Sequence, residues 1–213
     1  MAIDDLLDEH EQGERVRSWL RNNALGLLGG VGVGLGLILG WQWWQQHQHK
    51  QSAEAGVRYD ALVSNVESGK LDEAAKQMAA LSGGDVPPVY VALSGLDLAK
   101  AQVNAGKTDD AIKTLRGIQA DGALKQVVDQ RLAKLLLDSG KAAEVVSLLG
   151  NADDGISLEI RADAAHALGK RDQARDLYAQ ALAKVDVAAP QRQLLEIKLT
   201  DAGGKVPQPA EPI

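Results

Sequence analysis

Residues 99–115 read AKAQVNAGKTDDAIKTL, and this stretch decides the fold. A run containing Ala99 leads into Gly106, Lys107 follows, a small residue stands five positions on at Ala111, and a large apolar one nine on at Leu115. Glycine enters the left-handed backbone region at little cost and is enriched just past helix ends. The spacing therefore predicts one helix running into Gly106 and another leaving it. The arrangement recurs as Gly69-Lys70 with Ala74 and Met78, Gly140-Lys141 with Val145 and Leu149, and Gly169-Lys170 with Ala174 and Tyr178. Seven residues before the four glycines stand Leu62, Ala99, Ala133 and Ala162, and the glycines are 37, 34 and 29 residues apart.

A helical hairpin repeated at this period follows tetratricopeptide (TPR) logic: small residues let the two helices of a pair touch, and each pair buries its remaining apolar face only by stacking on the next. The repeat is degenerate, because the usual Trp and Pro positions are missing and the spacing varies. Loop signals agree. Ser82-Gly83-Gly84-Asp85 and Pro87-Pro88 separate the first pair from the second, and Asn151-Ala152-Asp153-Asp154-Gly155 separates the third from the fourth. Pro190 opens a short helix through Leu194, Leu195, Ile197 and Leu199, read as a terminal cap. From Gly203 the chain carries Pro207, Pro209 and Pro212 and reads as disordered. The fold class expected is all-α: one N-terminal transmembrane helix, then a TPR-like solenoid of about four helical hairpins with a C-terminal capping helix.

Composition supports this. The chain has 213 residues with no Phe and 3% aromatics, so its core is built from Ala, Leu and Val, which suit closely packed helices. The net charge is −6, and residues 1–21 hold six acids (Asp4, Asp5, Asp8, Glu9, Glu11, Glu14) against Arg15, Arg17 and Arg21. No basic face for nucleic acid is implied. The absence of cysteine excludes disulfides and thiolate metal sites without fixing the compartment.

Ala24 to Trp44 is a run of 21 residues whose one polar side chain is Gln42, long enough to cross a bilayer. Trp19 precedes it and Trp41, Trp43 and Trp44 close it, so these four are read as interfacial anchors. A signal peptide has a shorter apolar core followed closely by a small-x-small site, whereas Ala53-Glu54-Ala55 lies behind bulky tryptophans. The segment is therefore read as an uncleaved helix. At 100° per residue, Leu27, Leu28, Val31, Leu35, Ile38 and Leu39 share a glycine-free face. Gly26, Gly30 and Gly34 form one GxxxG row and Gly32, Gly36 and Gly40 another, expected to pack against a partner helix. The organisation expected is an acidic cytoplasmic tail at 1–21, a transmembrane helix at 22–46, a periplasmic TPR-like domain at 47–202 and a Pro-rich tail at 203–213.

No nucleophile motif and no phosphate-binding glycine loop appears. His47 and His49 offer two metal ligands without a third, and neither metal nor cofactor is expected. In TPR stacks the first helices of the pairs line the concave face, with residues six and two or three before each glycine directed into it. That selects Lys100, Asn104, Lys134, Asp138, Asp163 and His166 as groove residues for a peptide or partner.

Gly40-Trp41-Gln42-Trp43 with His47-Gln48, the stretch Ala92-Leu93-Ser94-Gly95-Leu96-Asp97-Leu98-Ala99, Arg131-Leu132-Ala133, and Glu159-Ile160-Arg161-Ala162-Asp163 through Gly169-Lys170-Arg171-Asp172-Gln173-Ala174-Arg175 carry a further likeness. On these motifs the chain resembles the bacterial ancillary SecYEG translocon subunit family (YfgM-like). The resemblance implies a single-pass inner-membrane protein, N-terminus cytoplasmic and TPR-like domain periplasmic, without enzymatic activity. It implies as partners the SecYEG translocon, a membrane-anchored periplasmic prolyl isomerase and translocating polypeptides, which it would help pass to periplasmic chaperones. The alternative is an envelope assembly scaffold that binds folded proteins through the same TPR surface.

Overall fold

No proline precedes Pro87, and nothing else in the early sequence breaks a helix. In the computed structural model, which describes residues 2–82 and 86–206 with side chains from Gly13 onward, α1 accordingly runs Ala2–Glu67. It is followed by α2 (Leu71–Ser82), α3 (Pro88–Asn104), α4 (Thr108–Arg116), α5 (Gly122–Asp138), α6 (Ala142–Leu148), α7 (Gly155–Ala167), α8 (Arg171–Lys184) and α9 (Arg192–Asp201). The described residues contain no strand. The boundaries expected at 21/22 and 46/47 fall inside α1 without a break, since the first positive-φ residue is Gly69. The chain divides into two compact units, Met1–Ala53 and Glu54–Ile213.

In the second unit four hairpins follow one another: the end of α1 with α2, α3 with α4, α5 with α6, and α7 with α8. Each closes on a left-handed glycine, with φ of 72° at Gly69, 74° at Gly106, 74° at Gly140 and 73° at Gly169. The Gly106 N–H donates to the Val103 carbonyl at 2.9 Å and the Lys107 N–H to the Gln102 carbonyl at 2.8 Å. The same two bonds recur at Gly69-Lys70, Gly140-Lys141 and Gly169-Lys170. Together they satisfy carbonyls that the end of the first helix would otherwise leave open. Acids then occupy the first turns of the second helices, Asp72 and Glu73 in α2, Asp109 and Asp110 in α4, Glu144 in α6 and Asp172 in α8, where the helix dipole favours them.

Counting from the glycines gives the core. The residues seven before (Leu62, Ala99, Ala133, Ala162), five after (Ala74, Ala111, Val145, Ala174) and nine after (Met78, Leu115, Leu149, Tyr178) are all buried. Four before and eight after, the first hairpin pairs Asn65 Nδ2 with Gln77 Oε1 at 3.0 Å, and the second pairs Thr114 Oγ1 with Gln102 Oε1 at 2.8 Å. The third and fourth hairpins place Leu136 with Leu148 and Ala165 with Leu177 at the same positions.

The pairs stack as a solenoid. First helices neighbour each other (α3 with α5, α5 with α7), and each second helix touches the next first helix: α2 with α3, α4 with α5, α6 with α7. Close approach needs Gly95, where an added Cβ would come within 2.5 Å of Ile118 Cδ1 and 3.0 Å of Met78 Cε. The apolar interior forms two clusters that meet at α7. Ile160 and Ala164 belong to the first, while Leu158, Ala162 and Ala165 belong to the second with Leu177, Tyr178, Leu195 and Leu199.

The last helix begins at Arg192, two residues beyond Pro190, after a turn in which the Asp186 carboxylate accepts from the Ala188 N–H at 2.8 Å. It packs on α8 and ends in a fifth left-handed turn, with Gly203 at φ 89° and the Gly204 N–H donating to the Leu199 carbonyl at 2.8 Å. Seven residues before Gly203 stands Glu196, not a small residue, which fits a cap better than another pair. Residues 203–206, expected to be disordered, thus form a turn from which Val206 packs back on the core; 207–213 lie outside the described residues.

Replacing Gly106 with Ala should lower stability by about 1–2 kcal/mol, the cost of a left-handed side-chain-bearing residue. Gly117→Ala is the control, since Gly117 has φ −78° and an added Cβ meets the Thr114 carbonyl at an ordinary 3.5 Å. Gly95→Val should cost about 1–3 kcal/mol by overpacking. Urea unfolding of the full chain in nonionic detergent, followed by circular dichroism, checks all three.

Candidate interaction surfaces

An open groove of the stack lies between α3 and α5. Their outward residues follow the glycine register: Leu93 and Val127 thirteen before the glycine, Asp97 and Arg131 nine before, Lys100 and Lys134 six before. With Leu96, Val103, Asn104 and Leu135 they line a groove of about 580 Å³. Leu93, Val103 and Val127 are each more than a third exposed, so the groove presents apolar surface to solvent. Three of the residues expected here from sequence, Lys100, Asn104 and Lys134, come together in it.

The other three sit elsewhere. Asp138 is exposed near the end of α5 and does not line this groove. Asp163 lies where α7, α8 and α9 meet: Tyr178 Oη donates to one carboxylate oxygen at 2.6 Å and Lys198 Nζ to the other at 2.8 Å. His166 is exposed in the last turn of α7. The position six before the glycine is open on α3 and α5, but on α7 the capping helix claims it.

Lys198 also reaches Glu159 Oε1 at 2.7 Å. Burial alone would lower this ammonium, but its hydrogen bonds to Asp163 and Glu159 hold it above the ordinary lysine value. Burial, and then the bond to Asp163, raise the Tyr178 phenol. Tyr59 Oη donates to Asp97 Oδ2 at 2.8 Å, and that bond raises the Tyr59 phenol. At the start of α7 the Asp154 carboxylate caps the Ser157 N–H at 3.0 Å, and Gln130 of α5 donates to both Asp154 Oδ1 at 3.0 Å and Ser157 Oγ at 3.1 Å. Burial pushes Asp154 up, but the Ser157 bonds outweigh it and leave the group below the usual carboxylate range.

Charge is distributed unevenly over the helices. Lys107, Lys113, Arg116, Lys125, Lys141, Arg175, Lys184, Arg192 and Lys198 each stand within salt-bridge distance of a carboxylate. Lys107 to Asp72 at 3.6 Å and Lys141 to Asp109 at 4.0 Å link successive hairpin turns. Lys100, Arg131 and Lys134 form no ion pair among the described residues.

The groove residues that sequence spacing missed are Leu93, Leu96, Asp97, Val103, Val127, Arg131 and Leu135. Extending the register one and two further turns back from each glycine finds most of them.

The first unit offers a different surface. Leu25, Leu28, Val31, Val33, Leu37 and Leu39 are all more than half exposed, and an 18-residue window of this helix is apolar enough to cross a membrane. An added Cβ at Gly26, Gly30, Gly32, Gly34, Gly36 or Gly40 meets nothing within 4 Å. The Trp41 and Trp44 rings lie 5.2 Å apart, Trp43 stacks on His47 at 5.7 Å, and Trp19 is exposed. Among the described residues, no group of three or more His, Asp or Glu side chains is placed to hold a metal ion.

Lys198→Ala, which leaves Glu159 and Asp163 facing each other without a counter-ion, should destabilise by about 2 kcal/mol at neutral pH. Because the Lys198 value is raised on folding, its contribution is complete below the ordinary lysine pKa of about 10.4 and is lost as pH rises through the folded value. Variant and parent should therefore converge in alkali. Asp154→Ala should cost about 1 kcal/mol as a lost cap. The Asp154 value is lowered, so its contribution holds above about pH 4 and disappears as pH falls through the folded value. Urea titrations between acid and alkaline pH read both trends.

A family model described as a tetratricopeptide repeat-like domain matches residues 17–204, beginning ahead of the apolar stretch and running through α9 and its turn. No curated protein matches the chain. Domains of this kind are typically non-catalytic modules for binding other proteins. The four glycine-closed hairpins, their stacked core and a match over most of the length lead to one assignment: the chain belongs to the tetratricopeptide repeat-like domain family.

Proposed function

We propose that the protein is a non-enzymatic, membrane-tethered adaptor of the SecYEG translocon that helps hand secreted and outer-membrane polypeptides to periplasmic chaperones. The observation that carries the adaptor role is the open, partly apolar groove between α3 and α5. Grooves of this kind accept peptide segments through side-chain pockets rather than performing chemistry. The translocon and the membrane-anchored prolyl isomerase enter through the motifs at 40–48, 92–99, 131–133 and 159–175, which resemble the ancillary subunit family.

In this reading residues 24–44 cross the inner membrane once, with the N-terminus cytoplasmic and the repeat domain periplasmic. Trp19 on one side and Trp41, Trp43 and Trp44 on the other sit at the interfaces. Gly26, Gly30, Gly32, Gly34, Gly36 and Gly40 let a translocon helix approach closely, since no side chain stands in the way. The groove, through Lys100, Asn104 and Lys134, holds an emerging chain or a partner.

Three measurements test this. SecY and the isomerase should co-purify with the full chain in mild detergent at native expression; the absence of both would falsify the translocon assignment. Gly30→Leu, Gly34→Leu and Gly36→Leu together should weaken that co-purification several-fold while membrane insertion stays intact. A photo-crosslinker at Leu93 or Val127 should capture a stalled secretory chain, whereas adducts confined to folded envelope proteins would identify a scaffold instead.

A further inference from the structure

We propose that the groove between α3 and α5 selects segments in which acidic residues are flanked by apolar ones, so that clients are chosen by charge pattern and not by exposed hydrophobicity alone. This rests on the peptide-binding reading of the groove.

On a chain of net charge −6, the groove holds Lys100, Arg131 and Lys134 against Asp97 alone, a local balance of +2. Most cations on α4, α8 and α9 stand within salt-bridge distance of a carboxylate, whereas these three form no ion pair among the described residues and share one groove. Asp97 offsets one of them, and its Oδ2 also accepts the Tyr59 hydroxyl. Three exposed cations on an apolar floor favour anionic groups whose neighbours are apolar.

The order of residues sets the pattern. Apolar Leu93 and Val127 stand at one end, Arg131, Lys100 and Lys134 in the middle, and Val103 at the other end. From Leu93 to Asn104 the groove follows twelve residues of α3, roughly 16 Å at helical rise. That length takes roughly five residues of extended chain. A matching segment has apolar side chains at both ends and acids between them.

The test uses the full chain in nonionic detergent and fluorescein-labelled, C-terminally amidated peptides containing Leu-Ala-Glu-Ala-Leu, in which the Glu shares a face with both Leu side chains, with versions carrying Gln or Lys for Glu. Amidation removes the terminal carboxylate, so only side-chain acids contribute. Fluorescence anisotropy should show the Glu peptide binding at least about tenfold tighter than the Gln peptide, the Lys peptide weakest, and the preference shrinking as salt rises. The triple variant Lys100→Gln, Arg131→Gln, Lys134→Gln, at positions exposed enough to leave the fold unchanged by circular dichroism, should reduce the preference to less than about twofold by weakening the Glu peptide. Equal binding of the Glu and Gln peptides overturns the charge selection and leaves the peptide groove standing. No binding by any peptide overturns both. A preference that survives in the triple variant, or displacement by polyglutamate as effective as by the Glu peptide, also overturns it.

Discussion

The structure depends on a backbone reversal that only glycine makes cheaply. Each hairpin must turn between antiparallel helices without leaving the final carbonyls bare, and a left-handed residue followed by two reverse hydrogen bonds achieves both. Because the turn at Gly69, Gly106, Gly140 and Gly169 has one geometry, every packing position is a fixed count away from it. Small residues at those counts bring the helices together, and the larger ones nine residues on fill the space that remains. Stacking then supplies what no isolated pair has, a cover for its second apolar face.

This explains what could be read from the sequence and what could not. Four glycine turns, their core positions and the capping helix are all local spacings, and the structure follows them. The groove was only partly legible: Lys100, Asn104 and Lys134 occupy it, yet Asp163 at the equivalent position of α7 does not. The difference arises from α9, whose Lys198 arrives 35 residues later in sequence to take the Asp163 carboxylate. A periodic rule describes interior repeats and fails at the last one, where a neighbour of another kind replaces the next repeat. Nor does spacing reveal which cations are neutralised, because the pairs Lys107 with Asp72 and Arg116 with Glu144 join residues in different hairpins.

Those pairs give the charged residues two separate uses. Exposed ion pairs contribute little stability individually, typically about 0–1 kcal/mol, but the pairs between hairpins neutralise charge locally where successive turns meet. Lys100, Arg131 and Lys134, with no ion pair among the described residues, gather in one groove on a chain that is acidic in total. The polar links that do add rigidity are the half-buried ones: Tyr178 and Lys198 on Asp163, and Gln130 on the Asp154 cap. They bind neighbouring helices of the solenoid to one another.

Helix α7 carries a consequence of a different kind. Its Ile160 and Ala164 complete one apolar cluster while Leu158, Ala162 and Ala165 complete the other, so a single helix is the shared wall of two cores. In a linear array, cooperativity passes only between nearest neighbours. The segment from α7 to α9 can therefore open as a block of its own, and the coupling between that block and the groove-bearing hairpins is set by how well one helix keeps both its faces packed at once.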